Sequence, residues 1–569
     1  MSIGRITRII GPVVFAEGLR GGKKNHLVLV GEKELLGEIV QIKGGTIIIQ
    51  VYEETSSLSI NEPVIDLKHP LTVRLGPGLL SGVFDGIQRP LERIKANALE
   101  PGMKEAVLPR SKQWHFIPQI KPGDKLHGGE SLGVLKETPL IDHHVLVPPQ
   151  TSGRVKEIVS EGDYSIDDVI AKLVSGEQLY LYHDWPVRVP RPYRRRISTL
   201  RPFITGQRIL DFFFPVIEGG TAIIPGGFGT GKTILERTLA KHSSTDIMVL
   251  TLCGERGNET IETLESFRTL EDPKTGHPMS ERTCIIANTS NMPVAAREAS
   301  IYSGVTIAEF YRDMGYRVSM LADSTSRWAE ALREISGRLE EIPGEEGYPS
   351  YLPKLIGQFY ERGGSVETLG GSEGSLTIVG AVSPQAGDFS EPVTQYSLRV
   401  ANALWALDTE LARSRHYPAV NWHLSFTRYT REVILFMKDR IANDWGEIQQ
   451  QLQEVMQTEE ELERIVRLLG KDTLSESQKG LLLTAELIKE GFLQQNAFSE
   501  FDAFCSSEKT YHMAKTILTA HDLIQQKVSN QNYIVEDLQQ TPWVAEIKRM
   551  KERDLEGILH LRNQLFSQF

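Results

Sequence analysis

Thr221-Ala-Ile-Ile-Pro225, then Gly226-Gly-Phe-Gly-Thr-Gly-Lys232-Thr233, then Ile234-Leu-Glu-Arg-Thr-Leu-Ala240 reads as a strand, a glycine loop and a helix. The loop matches G-x-x-x-x-G-K-[ST] in the strand–loop–helix setting that a phosphate-binding loop requires. Gly226, Gly227, Gly229 and Gly231, with Phe228 and Thr230 between them, let backbone N–H groups turn inward around a polyphosphate. The helix N-terminus adds positive potential. Lys232 is placed to reach the β- and γ-phosphates, and the Thr233 hydroxyl to ligate Mg²⁺.

Apolar runs flank this stretch at 246–252, 283–287 and 317–322, separated by segments of helical periodicity. That alternation predicts a buried parallel sheet with crossover helices. In such a sheet the strand exits share one edge, where ligands bind. Asp323 closes the run 317–322 and is read as the second metal-binding group. Glu255 and Arg256 follow the run 246–252. A carboxylate at that edge can hold an attacking water in line, and the neighbouring guanidinium can offer charge to the γ-phosphate.

Further outward the texture changes. Residues 1–70 carry short β-branched runs broken by Gly11-Pro12 and Gly44-Gly45, which predicts a small β-barrel. Residues 71–110 read as a linker to the core, with a helix-like stretch at 86–94. Residues 111–190 are β-rich again, with turn signals at 121–124, 127–129, 151–153 and 161–163, and read as an inserted module. Pro186 to Pro192 and the basic run Arg194-Arg195-Arg196 read as a solvated connector. The nucleotide-binding α/β core spans 191–430. Residues 431–569 form a helical bundle: Trp445, Ile448, Leu452 and Met456 recur at helical spacing, as do Leu462, Ile465, Val466 and Leu469, and the segment 544–565 repeats the pattern.

Composition narrows the function. The 569 residues are 40% hydrophobic and 24% charged, as in a globular protein, and the net charge of −11 argues against general nucleic-acid binding. The three cysteines, Cys253, Cys284 and Cys505, form no C-x-x-C pair, so neither a disulfide framework nor a zinc site is expected and a reducing compartment is. No secretory signal and no apolar run of ~18 residues is read, so any membrane contact is expected to pass through a partner.

Several blocks together resemble one family. They are the loop 226–233, Cys253-Gly-Glu-Arg-Gly-Asn-Glu259, Asn288-Thr-Ser-Asn-Met-Pro-Val-Ala-Ala-Arg-Glu298 and Leu321-Ala-Asp-Ser-Thr-Ser-Arg-Trp-Ala-Glu-Ala-Leu-Arg-Glu334. Gly344-Glu-Glu-Gly-Tyr-Pro-Ser-Tyr-Leu352, Gly387-Asp-Phe-Ser-Glu-Pro-Val393, Gly11-Pro-Val-Val14 and the stretch 75–91 extend the match along essentially the whole chain. They resemble the catalytic (alpha) chain of V-type and A-type rotary ATPases. The resemblance implies an N-terminal β-barrel, an inserted all-β bulge domain, a central α/β nucleotide-binding core and a C-terminal helical bundle. It implies ATP or ADP with Mg²⁺, three copies alternating with three B subunits, and central and peripheral stalks. ATP hydrolysis or synthesis would be coupled to H⁺ or Na⁺ movement through a membrane sector. The chain itself would be cytoplasmic, peripheral to the membrane, and would bind no nucleic acid.

Carried over by position, Lys232 and Thr233 bind phosphate and Mg²⁺, Glu255 activates water, Arg256 contacts phosphate, and Asp323 lies in the metal-binding strand. Tyr417 resembles the adenine-stacking aromatic, with Phe498 and then Phe504 as candidates to complete its pocket. Thr230 stands where eukaryotic members commonly carry Cys, which points to a bacterial or archaeal type. The stretch 421–429 departs from the family pattern, and the C-terminal domain matches too weakly to assign stalk contacts. Two alternatives remain: a nucleotide-binding subunit without catalysis, and a hexameric translocase or secretion ATPase. The intact loop with Glu255 argues against the first, and the inserted module at 111–190 and the acidic balance argue against the second.

Overall fold

The computed structural model describes residues 3–91, 102–103, 105–531 and 533–567. They form two compact units. The first runs to Ser198 and takes in Thr245–Pro384 and Phe389–Val400; the second comprises Thr199–Ser244, Gln385–Asp388 and Ala401–Phe569.

The first unit opens with a closed barrel of β1 (Ile3–Ile10), β2 (Val13–Glu17), β3 (Leu27–Val30), β4 (Leu35–Lys43), β5 (Thr46–Val51) and β6 (Pro63–Asp66), in the order β1-β2-β5-β4-β3-β6. Alternation fills it: Ile6, Val14, Val28, Val30, Ile39, Ile49 and Val64 are buried together inside. The inserted module holds two four-stranded antiparallel sheets. One is ordered Lys125–Leu126, Gly153–Ile158, Ala171–Leu173, Gln178–Leu179; the other Asp142–Leu146, Ser131–Lys136, Trp114–Pro118, Gly162–Tyr164. The expected barrel and all-β insertion are present.

A parallel sheet completes this unit. Glu373–Val382, Arg317–Asp323, Ile247–Cys253 and Thr283–Asn288 lie side by side, and every residue of Ile247–Cys253 and Thr283–Asn288 is buried. The helix Val294–Asp313 packs against it and is buried almost throughout, consistent with its Ala- and Gly-bearing face.

Two sequence expectations change here. No helix occupies 86–91: the Asp85 carboxylate accepts hydrogen bonds from Ile87 N and Arg89 N and folds the chain into a turn. The rest of that stretch, 92–94, lies outside the described residues. The basic run is exposed, as a solvated connector should be, but it is a paired edge strand and not a free linker. Arg195–Arg196 is a short strand paired with Gly364–Glu367, and Arg194 and Arg195 pair with Glu367. Arg191, within the same connector, is buried and bonded to Asp313 at 2.6 Å and to Glu309. A sheet edge and buried carboxylates decide this, and neither is visible in a local charge count.

Glu137 ties the insertion to the core of the same unit. Its fully buried carboxylate accepts from Gly78 N, Leu79 N and Leu80 N at 2.8, 3.0 and 3.0 Å, from His143 Nδ1 at 2.7 Å and from the Tyr311 hydroxyl at 3.0 Å. Burial pushes this carboxyl up, but the His143 charge and the donated hydrogen bonds outweigh it and leave it below the usual range. Its contribution to stability is therefore present above the unfolded carboxyl's pKa and is lost as pH falls through the lowered folded value. Glu137→Ala is expected to cost about 3–5 kcal/mol, because His143 and three amides lose a buried charge partner. Chemical denaturation at pH 7 tests this, and an unchanged midpoint would contradict it.

In the second unit, Thr221–Pro225 pairs in parallel with Ala403–Leu404, which pairs antiparallel with Phe426–Thr427. Beyond residue 430 the described chain is helical, with Thr430–Arg440, Trp445–Leu469, Glu476–Ile488, Ser507–Gln531 and Leu555–Phe566 as its main helices. The periodic residues Trp445, Ile448, Leu452 and Met456 are buried, with the Trp445 ring 5.2 Å from Phe212 and stacked on Tyr511. The 544–565 segment is helical, in separate pieces. Pro542–Lys548 ends before a 3₁₀ turn, Met550–Glu552, and Asp554 caps Leu555–Phe566 by accepting from Gly557 N.

Candidate functional site

The second unit carries the glycine loop. Thr221–Pro225 is buried along its length, and the helix Lys232–His242 begins directly after Gly231. Thr230 is buried, and its hydroxyl donates to Gly227 O at 2.8 Å, closing the loop on itself. Gly231 has φ +84°, and a Cβ there would lie 3.2 Å from the Tyr417 ring, so both backbone and packing call for glycine. No acidic residue occupies the first turn of the helix, which leaves its positive end suited to an anion. Lys232 and Thr233 are half-buried at that turn, and the Phe228 ring is exposed.

Beside the loop is a cavity of about 520 Å³. Gly231, Ile234, Leu235 and Thr238 form one side of it, Arg415, Tyr417, Pro418 and Ala419 another, and the stretch Gln494–Ser499 a third. Tyr417 and Phe498 line it and stay 39% and 84% exposed, which leaves aromatic surface for a planar ligand. Phe504 does not line the cavity. Its ring packs against His242 at 5.7 Å and over Gly206. His416, next to Tyr417, is pushed down to about 4 by burial and then by Lys551 and Lys489, so it is neutral at pH 7.

The first unit carries the acidic residues. The parallel register pairs Cys253 with Asn288 and Leu252 with Asp323, so these strands end along one edge. Asp323 closes its strand and is buried, and Ser324 caps the following helix Thr325–Arg338 by accepting from Arg327 N. Gly254, at φ +74°, turns the chain out of the strand, and a Cβ there would lie 2.6 Å from Arg327 Cβ. Glu255 follows half-buried, its carbonyl accepting from Ser290 N at 2.8 Å. Arg256 is exposed, 3.9 Å from Glu259, and opens the helix Gly257–Thr269. The Arg327 guanidinium is raised first by its hydrogen bond to Glu330, against burial, with further contributions from Glu255 and Asp323. Glu255 and Asp323 therefore share the field of one cation. Burial pushes the Cys253 thiol up to about 12, which makes it a poor nucleophile and redox centre.

Thr233 and Asp323 offer a hydroxyl and a carboxylate, hard oxygen donors of the kind Mg²⁺ prefers. Sequence reasoning missed Gln494, Gln495, Asn496 and Lys551, which line the cavity. They belong to no motif and lie far along the chain from the loop.

A strand, glycine loop and helix beside an aromatic-walled cavity define the phosphate-loop class of nucleotide-binding α/β proteins. Family models match in four consecutive pieces: the ATP synthase alpha/beta family β-barrel domain at 6–68, its barrel-sandwich domain at 106–188, its nucleotide-binding domain at 206–427, and the C-terminal domain of V and A type ATP synthase at 436–535. The corresponding A-type ATP synthase chain of Thermococcus onnurineus, the one that bears the letter A, is 49% identical over all of this chain and 98% of its own length. The V-type ATP synthase alpha chain of Clostridium botulinum is 47% identical over 99% of this chain and 97% of its own. The chain belongs to this family, the alpha chains of A-type and V-type ATP synthases. Among solved structures, the assembled ATPase EscN of the enteropathogenic E. coli type III secretion system shares the fold. Its TM-score is 0.65 at 20% identity, covering 90% of this chain and all of that one.

Proposed function

We propose that this chain is the catalytic component of a rotary ATPase that hydrolyses or synthesises ATP, three copies of it alternating with three B subunits. The observation that carries the reading is the cavity walled by Tyr417 and Phe498 and opening against Gly231. In this reading the cavity takes the base, at the end of the phosphate loop where the helix Lys232–His242 starts. The adenine ring stacks there, and the triphosphate lies along residues 226–233. The loop amides and Lys232 hold the phosphates, and Thr233 with Asp323 would hold Mg²⁺, which neutralises phosphate charge when bound. Glu255 orients and deprotonates the attacking water, and Arg256 contributes charge to the phosphates. Central and peripheral stalk proteins couple turnover to H⁺ or Na⁺ movement in a membrane sector. No helix among the described residues is long and apolar enough to cross a membrane, so this chain is proposed to meet it through those partners, from the cytoplasmic side.

The phosphate assignment is tested by Lys232→Ala. Removing a charge partner from a polyphosphate is expected to weaken binding of a nonhydrolysable ATP analogue about a hundredfold, read by calorimetry. Unchanged affinity would refute it.

A further inference from the structure

Next to the two aromatic walls lies a knot of buried polar side chains that no motif announced, two of which, Gln495 and Asp502, border the cavity. Arg208, Gln495 and Asp502 are each at most 2% exposed. The Arg208 guanidinium donates to Phe492 O at 2.7 Å, to Gln494 O at 2.8 Å and to Asp502 Oδ1 at 2.6 Å. Gln495 uses its whole side chain: Oε1 accepts from Arg208 N at 2.8 Å, and Nε2 donates to Gly206 O at 2.8 Å and Asp502 O at 2.7 Å. Its backbone N donates to Tyr417 O at 2.8 Å. The second Asp502 oxygen accepts from Asn496 N at 2.7 Å, and Asn496 Oδ1 accepts from Phe498 N at 2.9 Å.

Each bond in this chain ends at one wall of the base cavity or at the segment entering the phosphate-loop fold. Buried polar groups with every bond made are costly to disturb and hold one geometry. A stacking pocket made of two exposed rings has no such rigidity of its own. We propose that Arg208, Gln495 and Asp502 are positioning residues. They fix the Tyr417 and Phe498 walls relative to each other, so that recognition of the base, and not of the phosphates, depends on them.

The inference rests on the nucleotide reading above and is tested on the full chain with two ligands. One is a nonhydrolysable ATP analogue; the other is inorganic tripolyphosphate, which uses the loop without the base pocket. Gln495→Met and Asp502→Asn are expected to raise the Kd of the analogue about tenfold, the scale of one lost buried hydrogen bond, with the Kd of tripolyphosphate within about twofold of wild type. Asn496→Ala, at an exposed position, removes only the bond that sets Phe498 and is expected to shift the same ratio about threefold without loss of fold. Variants that weaken both ligands equally, or that keep the wild-type preference for the nucleotide, would overturn the knot. A wild type that bound the analogue no better than tripolyphosphate would overturn the base pocket itself, and the knot with it.

Discussion

Glu255→Gln in the assembled complex is expected to bind Mg-ATP as the wild type does and to turn it over about 10²–10⁴ times more slowly. The substitution keeps size and hydrogen-bonding reach and removes only the charge that accepts a proton from water. The loop 226–233 and the cavity walls lie in other segments of the chain and keep their own bonds, among them Thr230 to Gly227. The loss should therefore fall on kcat, with nucleotide affinity unmoved, the pattern of an interaction made in the transition state. Equilibrium binding and single-turnover hydrolysis separate the two. Unaltered turnover would remove Glu255 from the chemistry, and lost binding would make it a structural residue.

The second large effect concerns assembly. The isolated chain is expected to be a weak ATPase, and addition of B subunits to raise hydrolysis by about 10³–10⁵, the scale of an arginine supplied in trans to the transferring phosphoryl group. Of the cations near Glu255, Arg327 is paired with Glu330 at 2.8 Å, whereas Arg256 is exposed, 3.9 Å from Glu259, and is the one proposed above to contact phosphate. Beyond Lys232 and Arg256, the further arginine that stabilises the transferring phosphoryl group is expected from a neighbouring subunit. Steady-state hydrolysis by the chain alone and after titration with B subunits checks this, and full activity from the chain alone would contradict it.

Much of the site was legible because local physics writes it. Gly231 needs a left-handed backbone, Lys232 and Thr233 follow at fixed spacing, and an apolar run marks each buried strand, so Asp323 and Glu255 could be placed at strand exits. Tyr417 and Phe498 were legible only by resemblance, since a lone aromatic looks the same in a core and in a pocket. Arg208, Gln495 and Asp502 were not legible at all. Arg208 meets Asp502 and the carbonyls of Phe492 and Gln494 hundreds of residues away, the remaining bonds are to backbone groups, and a carbonyl carries no sequence signal.

The same division runs through the fold. By itself the chain's alternation, periodicity and glycine placement determined a β-barrel, an all-β insertion, an α/β core and a helical end, because those features act over a few residues. Tertiary structure decided what the charged residues do. Arg191 in the connector and Glu137 in the inserted module found their partners through long-range packing, where burial makes a pairing strong and an unpaired charge prohibitive, while the exposed Arg195 pairs with Glu367 at a sheet edge.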